Sequence, residues 1–78
     1  MEMKDFIKNL VEQFDEVELE ALTPETKFKE FDEFSSLTIL SIIAMADDEY
    51  GVRLKADDVR QAETVQDLFD TVQSRIQG

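Results

Sequence analysis

The sequence predicts an all-α fold: a four-helix bundle of three main helices and one short helix, with a long first loop. Three observations carry this. Apolar residues recur at three- and four-residue spacing in separate stretches of the chain. No stretch shows a convincing period of two, the alternation a half-buried strand requires. Only two glycines and one proline interrupt the 78 residues, and Pro24 and Gly51 fall between the periodic stretches. This length allows one domain, expected to span residues 1–78. A hydrophobic content of 42% suffices for a small core and is too high for simple disorder.

The first element is expected over Met3 to Phe14, where Met3, Phe6, Ile7, Leu10, Val11 and Phe14 share a helical face. Residues 15–35 then form the long connection. The Thr23-Pro24 pair disfavours helix at Thr23, since a proline pushes the preceding residue toward extended backbone. A loop of this length needs anchors of its own, and Phe28, Phe31 and Phe34 recur every third residue to supply them, with a short helical turn possible among them.

The central helix runs from about Ser36 to Tyr50 and stops at Gly51, a residue suited to the left-handed position past a helix end. At 100° per residue, Ile39, Ile42, Ile43, Ala46 and Tyr50 form a core stripe. Leu37, Leu40 and Ala44 fall on another side, bordered by Ser41, Asp47 and Asp48. A helix apolar on two sides is either buried all round or docks a partner. Full burial is hard to arrange in so small a chain, which favours docking.

Val52 and Leu54 follow in an extended link. Residues 56–62 read as a brief helix with Asp57 and Asp58 in its first turn, where the helix dipole favours acids. Thr64 and Asp67 have the spacing of a capping-box variant, and Val65, Leu68, Phe69, Val72 and Ile76 give the last helix its buried face.

Composition excludes several functions. The chain has no cysteine and no histidine, so it lacks a thiol nucleophile, the usual zinc ligands and the usual general base near neutral pH. An enzyme is not expected. Nineteen acids against eight bases give a net charge of −11, which disfavours nucleic acid and anionic membrane surfaces and favours basic protein partners. The acid runs Asp15-Glu16-x-Glu18-x-Glu20 and Asp47-Asp48-Glu49 read as solvated faces; a calcium loop begun at Asp47 would place Val52 where such a loop requires glycine, so no metal site is expected. MEMKDFIKNLVEQF lacks the features of a signal peptide, and the nearly apolar run Leu37 to Ala46 is too short to span a bilayer. A soluble, cytoplasmic monomer without membrane insertion is expected.

Ser35-Ser36-Leu37 opens the central helix. One reading is simple capping, in which a serine oxygen accepts a bond from a free backbone amide. The other makes one hydroxyl a covalent attachment point, since unpaired amides and the positive dipole end both stabilise a phosphate there. The two serines permit a division of labour, with Ser35 capping and Ser36 carrying.

EFSSLTILSIIAMADDEYGV resembles the carrier-site region of acyl carrier proteins. Ser36-Leu37 match the end of that family's Asp-Ser-Leu, Asp47-Asp48-Glu49 its acidic cluster, and Tyr50-Gly51-Val52 its Phe/Tyr-Gly-Val close. LTPETKF at Leu22 to Phe28 and ETVQDLFDTV at Glu63 to Val72 are similar to its first loop and last helix. The resemblance implies 4′-phosphopantetheine, covalently attached at Ser36 and holding acyl groups as thioesters. It further implies docking through Leu37, Leu40, Ala44, Asp47, Asp48, Asp57 and Asp58. The implied partners are a phosphopantetheinyl transferase and acyl-loading and acyl-transfer enzymes with basic docking surfaces. Fatty-acid or specialised lipid or polyketide biosynthesis follows as the setting. An aminoacyl or peptidyl carrier, and an acidic helical adaptor with no arm, are the alternatives.

The sequence makes three departures from the family pattern. Ser35 stands where the family has Asp, Thr38 and Ser41 stand where acids are common, and the glycine often found before the motif is absent. The docking face is therefore more apolar near Ser36 and acidic further along, which points toward a specialised pathway carrier. The excess of acids also makes the folded chain self-repelling. Added salt is expected to raise the melting temperature at neutral pH; a thermal scan that is flat from low to moderate salt would contradict this.

Overall fold

The computed structural model describes residues 1–76. It contains four α-helices: α1 (Met3–Val11), α2 (Ser36–Tyr50), α3 (Ala56–Gln61) and α4 (Val65–Arg75). Two 3₁₀ turns, Leu19–Ala21 and Phe28–Glu30, lie in the α1–α2 connection. No strand occurs among the described residues. The all-helical bundle expected from the periodicities is therefore the fold.

α1 ends three residues before the expected Phe14. Beyond Val11 the backbone tightens to i→i+3 bonds, with Gln13 N–H donating to Leu10 O at 3.0 Å and Phe14 N–H to Val11 O at 3.1 Å. This keeps Phe14 in the core while turning the chain toward the loop, and Phe14 meets Phe31 edge-on at 5.6 Å. The loop phenylalanines do anchor the connection. Phe28 is fully buried and touches Phe34 at 5.9 Å, while Phe31 and Phe34 are half-buried against the core.

The loop also serves α4. Thr23 to Thr26 form a turn closed by Thr26 N–H to Thr23 O at 3.0 Å. The carbonyls of Pro24 and Thr26 then accept the amides of Gln66 and Val65, at 2.9 and 3.0 Å. Thr64 Oγ1 accepts the Asp67 amide at 3.2 Å, and Asp67 Oδ2 accepts the Thr64 amide at the same distance, so the expected capping box is present. Every free amide in the first turn of α4 thus has an acceptor.

α2 has the expected bounds. Ile39, Ile42 and Ala46 are buried, and Met45 and Thr38 join them. Ile43 and Tyr50 lie at the edge, half-buried rather than fully enclosed. A tyrosine hydroxyl needs a polar partner, and Tyr50 finds one by accepting from Asn9 Nδ2 at 2.9 Å while its ring rests on Phe6. Phe6 also meets Phe69 edge-on at 5.6 Å, which ties α1 to α4.

α2 stops as expected. Gly51 has φ 65°, and Val52 N–H reaches back to Ala46 O at 3.2 Å, a Schellman-type closure. Val52 and Leu54 are then buried in the link. α3 ends at Gln61, one residue short of the expected Ala62, which is buried as its cap. A Cβ at Gly51 would meet nothing within 4 Å, so the demand for glycine is one of backbone angle alone. Gly51→Ala is accordingly expected to lower stability by about 1–2 kcal/mol without changing the fold, as read from chemical denaturation with a preserved helical circular dichroism spectrum.

Candidate functional site

The site is built around the start of α2. Ser35 is the N-cap residue, in extended backbone, and Ser36 is the first helical residue. Ser35 and Thr38 form a capping box whose well-formed half is the Ser35 amide donating to Thr38 Oγ1 at 3.2 Å. Thr38 in turn donates to Glu33 O at 3.1 Å. The Ser35 side chain makes no cap hydrogen bond of good geometry, and the Thr38 hydroxyl ties the backbone that enters the helix instead. Ser36 is exposed, and among the described residues its hydroxyl makes no hydrogen bond. The first turn of α2 contains no acidic residue.

From Ser36 an exposed stripe runs along the helix. Leu40, Ala44 and Asp47 follow at intervals of four, four and three residues, so they share one side. Leu37 is 74% exposed and Leu40 60%, which is far outside the range of a core leucine. Asp47 lies eleven residues from Ser36, or about 16 Å along the axis. Asp47, Asp48 and Glu49 occupy the last turn, where no basic residue is present. Acids at a helix C-terminus oppose the dipole by about 0.3–1 kcal/mol each. Their presence is therefore not explained by helix stability.

The other two expected acids lie elsewhere, in α3. Asp57 makes an exposed 3.4 Å contact with Arg60, a geometry that contributes little. Asp58 is committed to structure: its carboxylate takes both guanidinium nitrogens of Arg75, at 2.6 and 2.7 Å, and accepts the Lys55 amide at 2.8 Å. It is thus both the cap of α3 and the tie between α3 and α4, seventeen residues apart from Arg75 in sequence. Leu37, Leu40, Ala44, Asp47 and Asp48 are brought together on α2; Asp57 and Asp58 belong to the neighbouring helix.

Two contributions were missed at the level of sequence. Leu19 is 43% exposed in the loop. Glu33 fixes the loop ends: its Oε1 accepts the Asp15 amide at 2.5 Å and its Oε2 the Glu16 amide at 2.9 Å. Nothing in local spacing signals a contact across seventeen or eighteen residues. A groove of about 290 Å³ opens beside it, lined by Glu12, Asp15, Glu33, Ser35, Leu37 and Ser41 among others.

An exposed serine at the head of a fifteen-residue helix, with free amides and no acid in its first turn, fits a phosphate ester. The model of the phosphopantetheine attachment site family matches residues 5–72. The chain is also 28% identical over 72 residues to the acyl carrier protein of Thermobifida fusca (strain YX), across 92% of this chain and 91% of that one. The fold and the match together define a carrier protein. The chain belongs to the phosphopantetheine attachment family, and its prosthetic group is phosphopantetheine. Among the described residues no helix is long and apolar enough to cross a membrane.

The Asp58–Arg75 pair yields a pH test. The two guanidinium hydrogen bonds, with the Lys55 amide, hold the Asp58 carboxyl below its ordinary value of 3.8. Because the folded value is depressed, the pair stabilises above that pH and its contribution is lost as pH falls through the folded value. Asp58→Asn is expected to lower the melting temperature at neutral pH, with the gap to wild type closing well below pH 3.8. A gap of constant size across that range would show that the charge is irrelevant.

Proposed function

We propose that this chain is an acyl carrier protein, a single carrier domain that moves thioester-bound acyl groups between enzymes of fatty-acid or specialised lipid or polyketide biosynthesis. Ser36 is the attachment point. The observation that carries the reading is the stripe in which Ser36, Leu40, Ala44 and Asp47 share one exposed side of α2, in a chain of the attachment family.

Each part of the stripe has a physical task. Ser36 supplies the oxygen for the phosphodiester, and the α2 amides and dipole stabilise the resulting negative charge. The prosthetic group supplies a terminal thiol for the acyl cargo. Leu37, Leu40 and Ala44 give a partner enzyme an apolar surface beside the attachment point. Asp47 and Asp48, with Asp57 in α3, attract basic partner surfaces and speed encounter. The absence of acid in the first turn of α2 supports a carrier for a specialised pathway.

Intact-mass measurement tests this directly. The apo chain, incubated with coenzyme A and a broad-specificity phosphopantetheinyl transferase, is expected to gain one phosphopantetheine. Ser36→Ala should gain none, and Ser35→Ala should still gain one. Modification that survives Ser36→Ala and disappears in Ser35→Ala would move the site by one residue. A wild-type chain of unchanged mass would instead favour the adaptor reading.

A further inference from the structure

Ser36 occupies the first position of α2, and that position differs physically from the rest of the stripe. Leu40, Ala44 and Asp47 lie one to three turns inside the helix, where backbone hydrogen bonds fix them. A first turn frays unless its free amides and its entering backbone are held. The location of Ser36 relative to its own docking surface therefore depends on what holds the first turn.

Two side chains hold it. The Thr38 hydroxyl accepts the Ser35 amide at 3.2 Å and donates to Glu33 O at 3.1 Å, bridging the N-cap and the residue two before it. Thr38 is 7% exposed, and both of its bonds are partly buried at the edge of the groove. Glu33 carries the connection onward through its carboxylate, which clasps the amides of Asp15 and Glu16 just past α1. A carboxylate at this place shares its groove with Glu12 and Asp15, so like-charge repulsion works against it. Phe31 against Phe14 and Phe34 against Phe28 fix the same segment on its apolar side.

We infer that Glu33 and Thr38 form a latch between the end of α1 and the head of α2 that sets the position of Ser36 for phosphopantetheine transfer. Both are positioning residues, acting through the backbone on either side of Ser36. The inference rests on Ser36 being the attachment point. In the transfer, Ser36 Oγ bonds to the phosphorus on the pantetheine side of coenzyme A. The pyrophosphate linkage to adenosine 3′,5′-bisphosphate breaks, and the hydroxyl proton passes to a base on the transferase. Such a displacement is sensitive to sub-ångström placement of the attacking oxygen. Loss of the latch leaves the stripe inside α2 intact while misplacing the serine. Its signature is a fall in kcat with little change in the KM for the apo chain.

The experiment measures steady-state transfer from coenzyme A to the full apo chain by a broad-specificity transferase, for wild type, Thr38→Val, Thr38→Ser and Glu33→Ala. Thr38→Val and Glu33→Ala are expected to lower kcat about fivefold, the scale of a lost cap, with KM within about twofold of wild type. Thr38→Ser, which keeps the hydroxyl, should recover most of the rate. Amide hydrogen exchange on the same proteins gives a readout independent of transfer: Ser35 should exchange faster in Thr38→Val, and Asp15 and Glu16 faster in Glu33→Ala. Should Thr38→Val fail to fold, Glu33→Ala against Thr38→Ser decides. Wild-type kcat in the variants, or a rise in KM at constant kcat, overturns the latch while leaving the attachment point intact. A wild-type chain that takes up no phosphopantetheine at Ser36 overturns the underlying reading and the latch with it.

Discussion

Aromatic packing along the connection between α1 and α2 is the constraint from which the site follows. Phe14 and Phe28 are buried, and Phe31 and Phe34 lean on them edge-to-face. Without those contacts, residues 12–35 would be a largely acidic segment anchored mainly by Leu22 and Val17 against the entropy of ordering it. With them, the segment delivers the chain to Ser35 at a defined point beside the end of α1. The same connection passes its Pro24 and Thr26 carbonyls to the head of α4. One loop therefore sets the starts of two helices.

The second constraint is the double apolar character of α2. Its core side packs through Ile39, Ile42, Met45 and Ala46, and the other side leaves Leu37 and Leu40 in water. Full burial of a leucine is worth about 1.5–3 kcal/mol, so these two side chains hold interaction free energy that the isolated fold does not use. In the proposed complexes that energy is released against a partner. The acids at the far end of the helix act at longer range and affect encounter more than final affinity.

What the sequence reveals divides along the range of each interaction. The bounds of α2 are legible because Ser35, Ser36 and Gly51 act locally, and Thr64 with Asp67 mark α4 for the same reason. The stripe of Leu37, Leu40 and Ala44 is legible from the 3.6-residue period. Phe14 illustrates the limit: its spacing fits a longer α1, yet tertiary packing against Phe31 is satisfied from a tightened turn instead. Asp58 looks like a dipole-favoured surface acid, and it is one, but its bidentate hold on Arg75 is visible only once α3 and α4 are folded together. Thr38 and Glu33 are hidden in the same way. A threonine on the helix and a glutamate in an acidic loop carry no local mark of the bonds that join them.

The distribution of charge completes the physical picture. Among the described residues the ion pairs are Arg60 with Asp57 and Arg75 with Asp58, both on the α3–α4 side. The acids ending α2 have no such partner there and sit against their own helix dipole. The head of α2 is the reverse: hydroxyls and leucines, with the neighbouring Glu33 carboxylate already turned onto two backbone amides. The phosphate ester proposed at Ser36 would thus meet free helix amides without an acid in the first turn to oppose it, while negative potential gathers about three turns away. On the proposed reading, attachment and attraction are separated along one helix, which lets each be set without disturbing the other.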